Sequence, residues 1–420
     1  MDIPRIKPKT LAMVLAGGRV DDLNALTYYR PKSSLPFGGF ARVIDFSLSN
    51  LMQSGLHRVG ILSQFRNYLL IDHIGIGAAW DMIGRYRGIS LLPPFQGSEE
   101  SRWFRGSADA LYQHLDFVRY HEPENVLILS GDHVYHMDYR EILEYHQERA
   151  ADLTVAFLKV PRQDAALRFG VARLDDQDGD RGGRVLDYEE KPAAPKGDWA
   201  SLSIYCFRPR PLYEALEANA AENTSHEFGR DIIPRILGEN RRVFGFKFNG
   251  YWGYTRTIDE YWQTSMDLLG REPKIPLKQW GLRTNLEHRR IRDCPPTKIG
   301  SKALIRNSLI YNGSIIEGEV ENSIIFPRVQ VAKGATVRDS ILFFNCKLAE
   351  GCRFNRVITD VDSTFGSDCL VGGEGAGGIT VVGSKNSLAA GAVLEPGCTL
   401  YPELDPALIP KTVTAGTVLR

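Results

Sequence analysis

The 420-residue sequence predicts two joined architectures, an α/β domain on a largely parallel mixed sheet followed by a parallel β-helix. Three observations predict it. Apolar runs at residues 11–16 and 125–130 end in Gly17-Gly18 and Gly131-Asp132, the pattern of strands buried on both faces. Between residues 43 and 62 the order helix then strand, following the first run through short connections, marks a βαβ unit. From Ile299 onward, apolar residues recur every six positions with glycines between them.

Taken in order, Leu11-Ala12-Met13-Val14-Leu15-Ala16 is the first strand. It breaks at Gly17-Gly18-Arg19, and residues 21–26 are expected to form a tight loop running into a helix start. A buried strand ending in paired glycines can present backbone N–H groups to phosphates, or can simply turn; Lys32 on the same segment favours the phosphate. Val43-Ile44-Asp45-Phe46 leads into a helix ending at Gly55, and residues 58–62 form the second strand. A proline-marked segment at 91–96 follows, and residues 103–110 open a helix that continues through Leu111, Leu115 and Val118.

Asp132 stands just past the strand at 125–130, where open α/β sheets bind ligands. Phosphoryl-transfer chemistry needs a carboxylate there to hold Mg²⁺ against a polyphosphate; the alternative is a helix cap. Residues 152–207 read mostly as strands, interrupted by Glu189-Glu190-Lys191-Pro192 and Trp199-Ala200-Ser201, either of which is also readable as surface loop. Helices begin at 228–234 and at Ile258, the latter running to Leu269. Residues 273–296 carry prolines and arginines without a period and read as a connection.

The solenoid follows. Ile299 and Ile305 set the period, and Val382, Leu388, Leu394 and Leu400 repeat it around Gly391 and Gly397. Ser308-Leu309-Ile310, Ser323-Ile324-Ile325 and Ser340-Ile341-Leu342 recur at about three times that interval, one turn of a three-sided coil. The glycine-rich stretch at 371–378 is expected to be a loop between coils.

Composition excludes several classes. Lysine plus arginine and aspartate plus glutamate both number 51, so the net charge is zero and bulk binding to nucleic acid or an anionic membrane gains no support. The N-terminus has neither the basic nor the apolar region of a signal peptide, and no apolar run approaches a membrane span. Six scattered cysteines without a C-x-x-C pair point to reduced thiols in a cytoplasmic protein.

In order and spacing, several motifs resemble the sugar-phosphate nucleotidyltransferases, and most nearly the ADP-glucose pyrophosphorylase (glucose-1-phosphate adenylyltransferase) family. They are Leu15-Ala16-Gly17-Gly18-Arg19, Phe37-Gly38-Gly39, Arg42-Val43-Ile44-Asp45-Phe46 with Leu48-Ser49-Asn50, Trp103-Phe104-Arg105-Gly106-Ser107-Ala108-Asp109-Ala110, Gly131-Asp132-His133-Val134-Tyr135, Phe169-Gly170-Val171, Glu190-Lys191-Pro192, and Phe228-Gly229 through Pro234. The resemblance implies a Rossmann-like catalytic domain over residues 1–270, a linker over 271–298, and a left-handed β-helix of hexapeptide repeats over 299–420. It implies transfer of an adenylyl group from ATP to glucose 1-phosphate, giving ADP-glucose and pyrophosphate for glycogen or related glucan synthesis. Leu15, Ala16, Gly17, Gly18, Gln64, Gln96, Gly106, Ser107 and Ala108 would surround the nucleotide. Gly170, Glu190, Lys191, Ser201 and Tyr205 would take the sugar phosphate, and Asp132 would ligate Mg²⁺ with Lys32 beside it as a catalytic residue. Lys32 and residues 93–103 also lie where the family has effector and relay positions. The solenoid would pack subunits into a homotetramer, or into a hetero-oligomer with an active relative.

The phosphate end departs from the family pattern. A further glycine and an arginine are replaced by Val20 and Asp22, and Trp-Arg-Asp-Val-Gly-Thr becomes Trp252-Gly253-Tyr254-Thr255-Arg256-Thr257. Tyr254 thus stands for the second metal carboxylate, and Ser33-Ser34, Ser203 and Glu227 are further departures. Val20 is expected to sit badly in a loop needing positive φ. The charges on the two segments have exchanged, so Arg256 is expected to supply the catalytic cation while Asp22 joins Asp132 on Mg²⁺. In the alternative, Asp22 repels the triphosphate and Arg256 merely pairs with it. Two functions follow: an active adenylyltransferase with a rearranged phosphate site, or a catalytically silent sugar-phosphate binder that regulates an active subunit. An acyltransferase using the β-helix is disfavoured, because no histidine follows His288.

Overall fold

The computed structural model describes residues 9–18, 20–94, 103–175, 177–374 and 377–420. A ten-stranded sheet organises the first part. Its strands in chain order are β1 (Thr10–Leu15), β2 (Arg58–Leu62), β3 (Ile83–Gly84), β4 (Arg87–Leu92), β5 (Asn125–Ser130), β6 (Leu153–Lys159), β7 (Gly170–Leu174), β8 (Gly182–Glu190), β9 (Trp199–Phe207) and β10 (Val243–Lys247). In space the order is β7-β8-β10-β6-β9-β5-β1-β2-β4-β3.

Strands β5, β1, β2 and β4 are parallel neighbours, with Leu15 opposite Ser130 on one side and Leu62 on the other. Beyond β5 the sheet turns antiparallel through β9, which pairs with both β5 and β6. The sheet is therefore more evenly mixed than its largely parallel start suggests. Short connections from β6 to β9 leave no room for the helical crossovers that parallel pairing requires.

Alternate residues of β1 supply two cores, as the two-residue strand period dictates. Leu11 and Met13 pack with Leu111, Val118, Leu212 and Ile236 from helices on one face. Ala12 and Val14 pack with Leu48, Leu51, Leu70 and Ile142 from helices on the other. With both faces covered, β1 and β5 read as continuous apolar runs.

Several boundaries differ from the sequence reading. The first two residues of the proline-marked segment, 91–92, finish strand β4, and Trp199-Ala200-Ser201 begin β9, whose pairing with β6 is irregular between Ser201 and Tyr205. The helix expected to open within residues 103–110 and continue through Val118 is two, Ser107–Tyr112 and Leu115–His121. The last helix of this part, Ile258–Met266, starts with a capping box between Thr257 and Glu260.

From Lys298 to Leu419, strands of two or three residues form three parallel sheets of six, seven and seven strands, a β-helix of the left-handed hexapeptide class. Val382, Leu388, Leu394 and Leu400 all enter its core. The recurring serines have a physical role. Ser308, Ser323 and Ser340 each accept a backbone N–H from the next coil, from Ser323, Ser340 and Val357, at 3.1 Å. Leu348 pairs with Phe365 but Phe365 pairs with Leu388, a longer step around the glycine-rich stretch. That stretch joins two faces of one coil, after Leu370–Gly372 and before Thr380–Val382, rather than linking coils.

The solenoid lies against the α/β part through a shared apolar core that includes Leu26, Phe37 and Tyr261 from one side and Ile324, Phe326 and Phe343 from the other. Arg30 donates two hydrogen bonds to Asp360 across this boundary, at 2.8 and 2.7 Å, both side chains being buried.

Candidate active site

A cavity of about 680 Å³ opens at the carboxyl ends of β1 and β5, where the sheet changes from parallel to antiparallel. Leu15, Ala16, Gly17 and Gly18 form one wall. Gly17 is needed there because a Cβ would stand 2.9 Å from the Gln64 backbone nitrogen, whereas Gly18 faces open space. Val20 has φ −118° and ψ 104°, ordinary extended backbone, so it does not meet the positive φ expected at that position, which falls instead at Asn24, φ 47°. Gln64 orients this wall by accepting the Phe104 N–H at 2.8 Å. Gly106 also lines the cavity, held so close to the 225–226 backbone that a Cβ would lie 2.4 Å from the His226 carbonyl oxygen. Ser107 hydrogen-bonds Glu227 and accepts the Phe228 N–H. Ala108 is buried in the core beneath and does not line the cavity, where Ala110 does; Gln96 lies outside the described residues.

The opposite end is rich in hydroxyls. Gly170, Glu190, Lys191, Ser201 and Tyr205 all line it, together with Tyr188 and Ser203. Tyr188 donates to Glu190 at 2.9 Å. Burial pushes the Tyr205 hydroxyl up to about 12, so it remains a donor throughout the physiological range. Lys191 and Ser203 both adopt left-handed backbone, φ 50° and 55°, a strained state for non-glycine residues that clusters at functional sites.

Lys32 and Asp132 meet at the centre. Lys32 is only 2 % exposed, and its Nζ lies 3.2 Å from Asp132 Oδ2. Asp132 Oδ1 faces His133 Nε2 at 3.4 Å and accepts from Ser130. Burial would raise the Asp132 carboxyl, but Lys32, His133 and Ser130 hold it well below the usual carboxylate range. Burial brings His133 down to about 4, so it is neutral at pH 7. Tyr254 closes this end, its ring centroid 5.1 Å from the Lys32 ammonium.

A resident Mg²⁺ does not fit these residues. Both Asp132 oxygens are engaged, and Tyr254 offers no carboxylate. Among the described residues no group of three or more His, Cys, Asp or Glu is placed to hold a metal ion. Asp22 does not join Asp132: its carboxylate accepts from Arg256 Nε at 3.1 Å, and neither residue lines the cavity. The exchanged charges thus pair with each other. Arg168, Arg105 and Tyr188 also line the cavity and were not named as site residues from the sequence; Arg105 stands within a quoted motif and Arg168 just before another, so motif membership was the signal that could have found these two.

The chain is similar to known proteins over both of its parts. The nucleotidyl transferase family profile matches residues 11–271, and the profile for the GlmU-like C-terminal hexapeptide matches residues 295–376. Among curated relatives, the glucose-1-phosphate adenylyltransferase of Desulfitobacterium hafniense strain Y51 is 37% identical over 397 residues, covering 93% of this chain and 98% of its own. Those of Clostridium perfringens strain SM101 and Thermotoga neapolitana are 40% and 42% identical, covering 81% and 78% of this chain and 86% and 76% of theirs.

Proposed function

The chain belongs to the glucose-1-phosphate adenylyltransferase family of nucleotidyl transferases, and from that premise we propose that it makes ADP-glucose and pyrophosphate from ATP and glucose 1-phosphate. The observation carrying this reading is one cavity with two unlike ends, a glycine wall beside Lys32 and a hydroxyl-rich wall beside Lys191. The first suits a nucleotide polyphosphate, the second a sugar phosphate. Oxygen of the sugar phosphate would attack the α-phosphorus and pyrophosphate would leave. Catalysis would rest on alignment of the two substrates and on cations facing the developing charge.

Nucleotidyl transferases of this family generally use a divalent metal. Here magnesium would arrive as the counter-ion of ATP, part of the substrate, with Asp132 as the carboxylate nearest to it. The six free cysteines suit a reducing compartment, and a cytoplasmic location for glucan synthesis follows from that reading. No described helix is long and apolar enough to cross a membrane.

The test is release of pyrophosphate by the purified protein with ATP, glucose 1-phosphate and Mg²⁺. Release that requires both substrates is expected. A second reading, a silent sugar-phosphate binder that regulates an active subunit, draws on the Lys32–Asp132 pair and on Tyr254 in place of a carboxylate. Glucose 1-phosphate binding by calorimetry with no pyrophosphate release would favour it and overturn the first.

A further inference from the structure

Three cations converge on Tyr254. The Lys32 ammonium lies 5.1 Å from its ring centroid, the Arg168 guanidinium carbon lies 5.9 Å from it, and Arg256 Nη1 donates to its hydroxyl at 3.4 Å. The ring is fixed by aromatic neighbours: Phe169 edge-on at 4.8 Å, Trp252 at 5.3 Å and His133 at 5.4 Å. Arg168 also lies over the Phe169 ring, at 5.0 Å.

Each cation has a carboxylate partner, but the partners are not placed alike. Asp132, paired with Lys32, lines the cavity. Glu260, paired with Arg168, and Asp22, paired with Arg256, do not. Glu260 is further committed to the helix cap, its Oε2 accepting the Arg256 and Thr257 N–H groups at 3.0 and 3.1 Å. Arg168 therefore lines the cavity while its counter-charge does not.

The segment carrying Arg168 is tied to the sugar end. Leu167 N–H donates to the Pro192 carbonyl at 2.9 Å and Lys191 N–H to the Phe169 carbonyl at 3.1 Å. Arg168 thus connects the segment that carries Lys191 to the Tyr254 ring that Lys32 also faces. An arginine fork held over aromatic rings suits bidentate contact with phosphate oxygens.

We propose that Lys32 and Arg168, held on the faces of Tyr254, form a seat for the pyrophosphate portion of the nucleotide that needs no divalent cation. Tyr254 is the positioning residue: its ring keeps two like charges close at hand without offering a carboxylate to a metal. This inference rests on the reading of the cavity as a nucleotidyl-transfer site, and it concerns binding rather than turnover.

Calorimetry with inorganic pyrophosphate, in EDTA and in Mg²⁺, tests it. The wild-type affinity in EDTA is expected to stay within about threefold of that in Mg²⁺. Arg168→Ala is expected to weaken pyrophosphate binding by about tenfold or more while glucose 1-phosphate binding persists, showing that the protein is folded. Arg168→Lys, which keeps charge but not the flat fork, should fall between. Tyr254→Asp is expected to weaken binding in EDTA by about tenfold and to restore it with Mg²⁺, a metal dependence that a merely structural role would not create. Wild-type binding that appears only with Mg²⁺, or an unchanged affinity in Arg168→Ala, would overturn the proposal. Pyrophosphate binding in EDTA without ADP-glucose synthesis would leave this seat standing and remove only the catalytic reading.

Discussion

A lysine as buried as Lys32 is tolerable only with a partner, because desolvating an unpaired ammonium costs several kcal/mol or more. Asp132 is that partner, and the pair organises the phosphate end. At the other end Lys191 has a different setting, half-buried on a strained turn just past β8. Lys191→Ala is expected to weaken glucose 1-phosphate binding by about 1.5–3 kcal/mol, measured by calorimetry, because a charge-assisted contact to the phosphate is lost. Asp22 can be treated the same way. Its pair with Arg256 is largely exposed, so breaking it costs little, about 0–1 kcal/mol of stability. Asp22→Asn frees Arg256 for the nucleotide, and metal-free ATP binding is expected to tighten. Weaker Mg²⁺-dependent ATP binding by the variant, with no tightening in EDTA, would instead return Asp22 to a metal-supporting role.

At the scale of elements, the helix Ile258–Met266 links fold stability to the site. Its capping box satisfies the first backbone donors with Thr257 and Glu260, and the same Glu260 pairs with Arg168. Thr257→Ala is expected to destabilise the protein by about 1 kcal/mol in urea unfolding, the usual worth of an N-cap. Because Glu260 then loses its reciprocal partner, pyrophosphate affinity should shift in the same variant while glucose 1-phosphate affinity does not. In the solenoid, the element-scale device is the serine ladder. Each serine hydroxyl donates to a carbonyl two residues earlier, at Arg306, Glu321 or Arg338, and accepts from the coil above. Buried corner groups are thereby satisfied where the strands are too short to do it.

At the scale of the whole molecule, buried histidines set the acid limit. Burial lowers His133 and His146 to about 4 and His288 to about 3, from an ordinary value near 6.5. Between those values the unfolded chain binds more protons than the native one, so stability is full above pH ~6.5 and is lost as pH falls toward 4. Urea midpoints measured from pH 7.5 to 4.5 should therefore decline below pH ~6.5, and His146→Gln should flatten the decline. Exposed apolar side chains, Tyr68, Ile71 and Ile76 among them, suit an assembly of several copies. Light scattering is expected to give a mass above the 47.0 kDa of one chain, and a stable monomer would count against it.

Much of this was determined by the sequence by itself. Strands buried on both faces must be apolar throughout, so β1 and β5 were legible, and so was the glycine wall after β1. A solenoid stacks like residues on like residues, so its period is written directly in the chain. Asp132 and Lys191 were legible because each follows a strand end in a recognisable motif, and Lys32 because it shares a segment with the glycine loop. Tertiary structure alone decided the rest. The antiparallel half of the sheet depends on which strands meet, which local pattern does not specify. The pairing of Asp22 with Arg256, 234 residues apart in sequence, and the gathering of Lys32 and Arg168 around Tyr254 are contacts between distant segments. Charge and residue type could nominate Asp22 for a metal and Arg256 for a phosphate. Only the folded chain brings each within reach of the other, and at that distance opposite charges satisfy one another first.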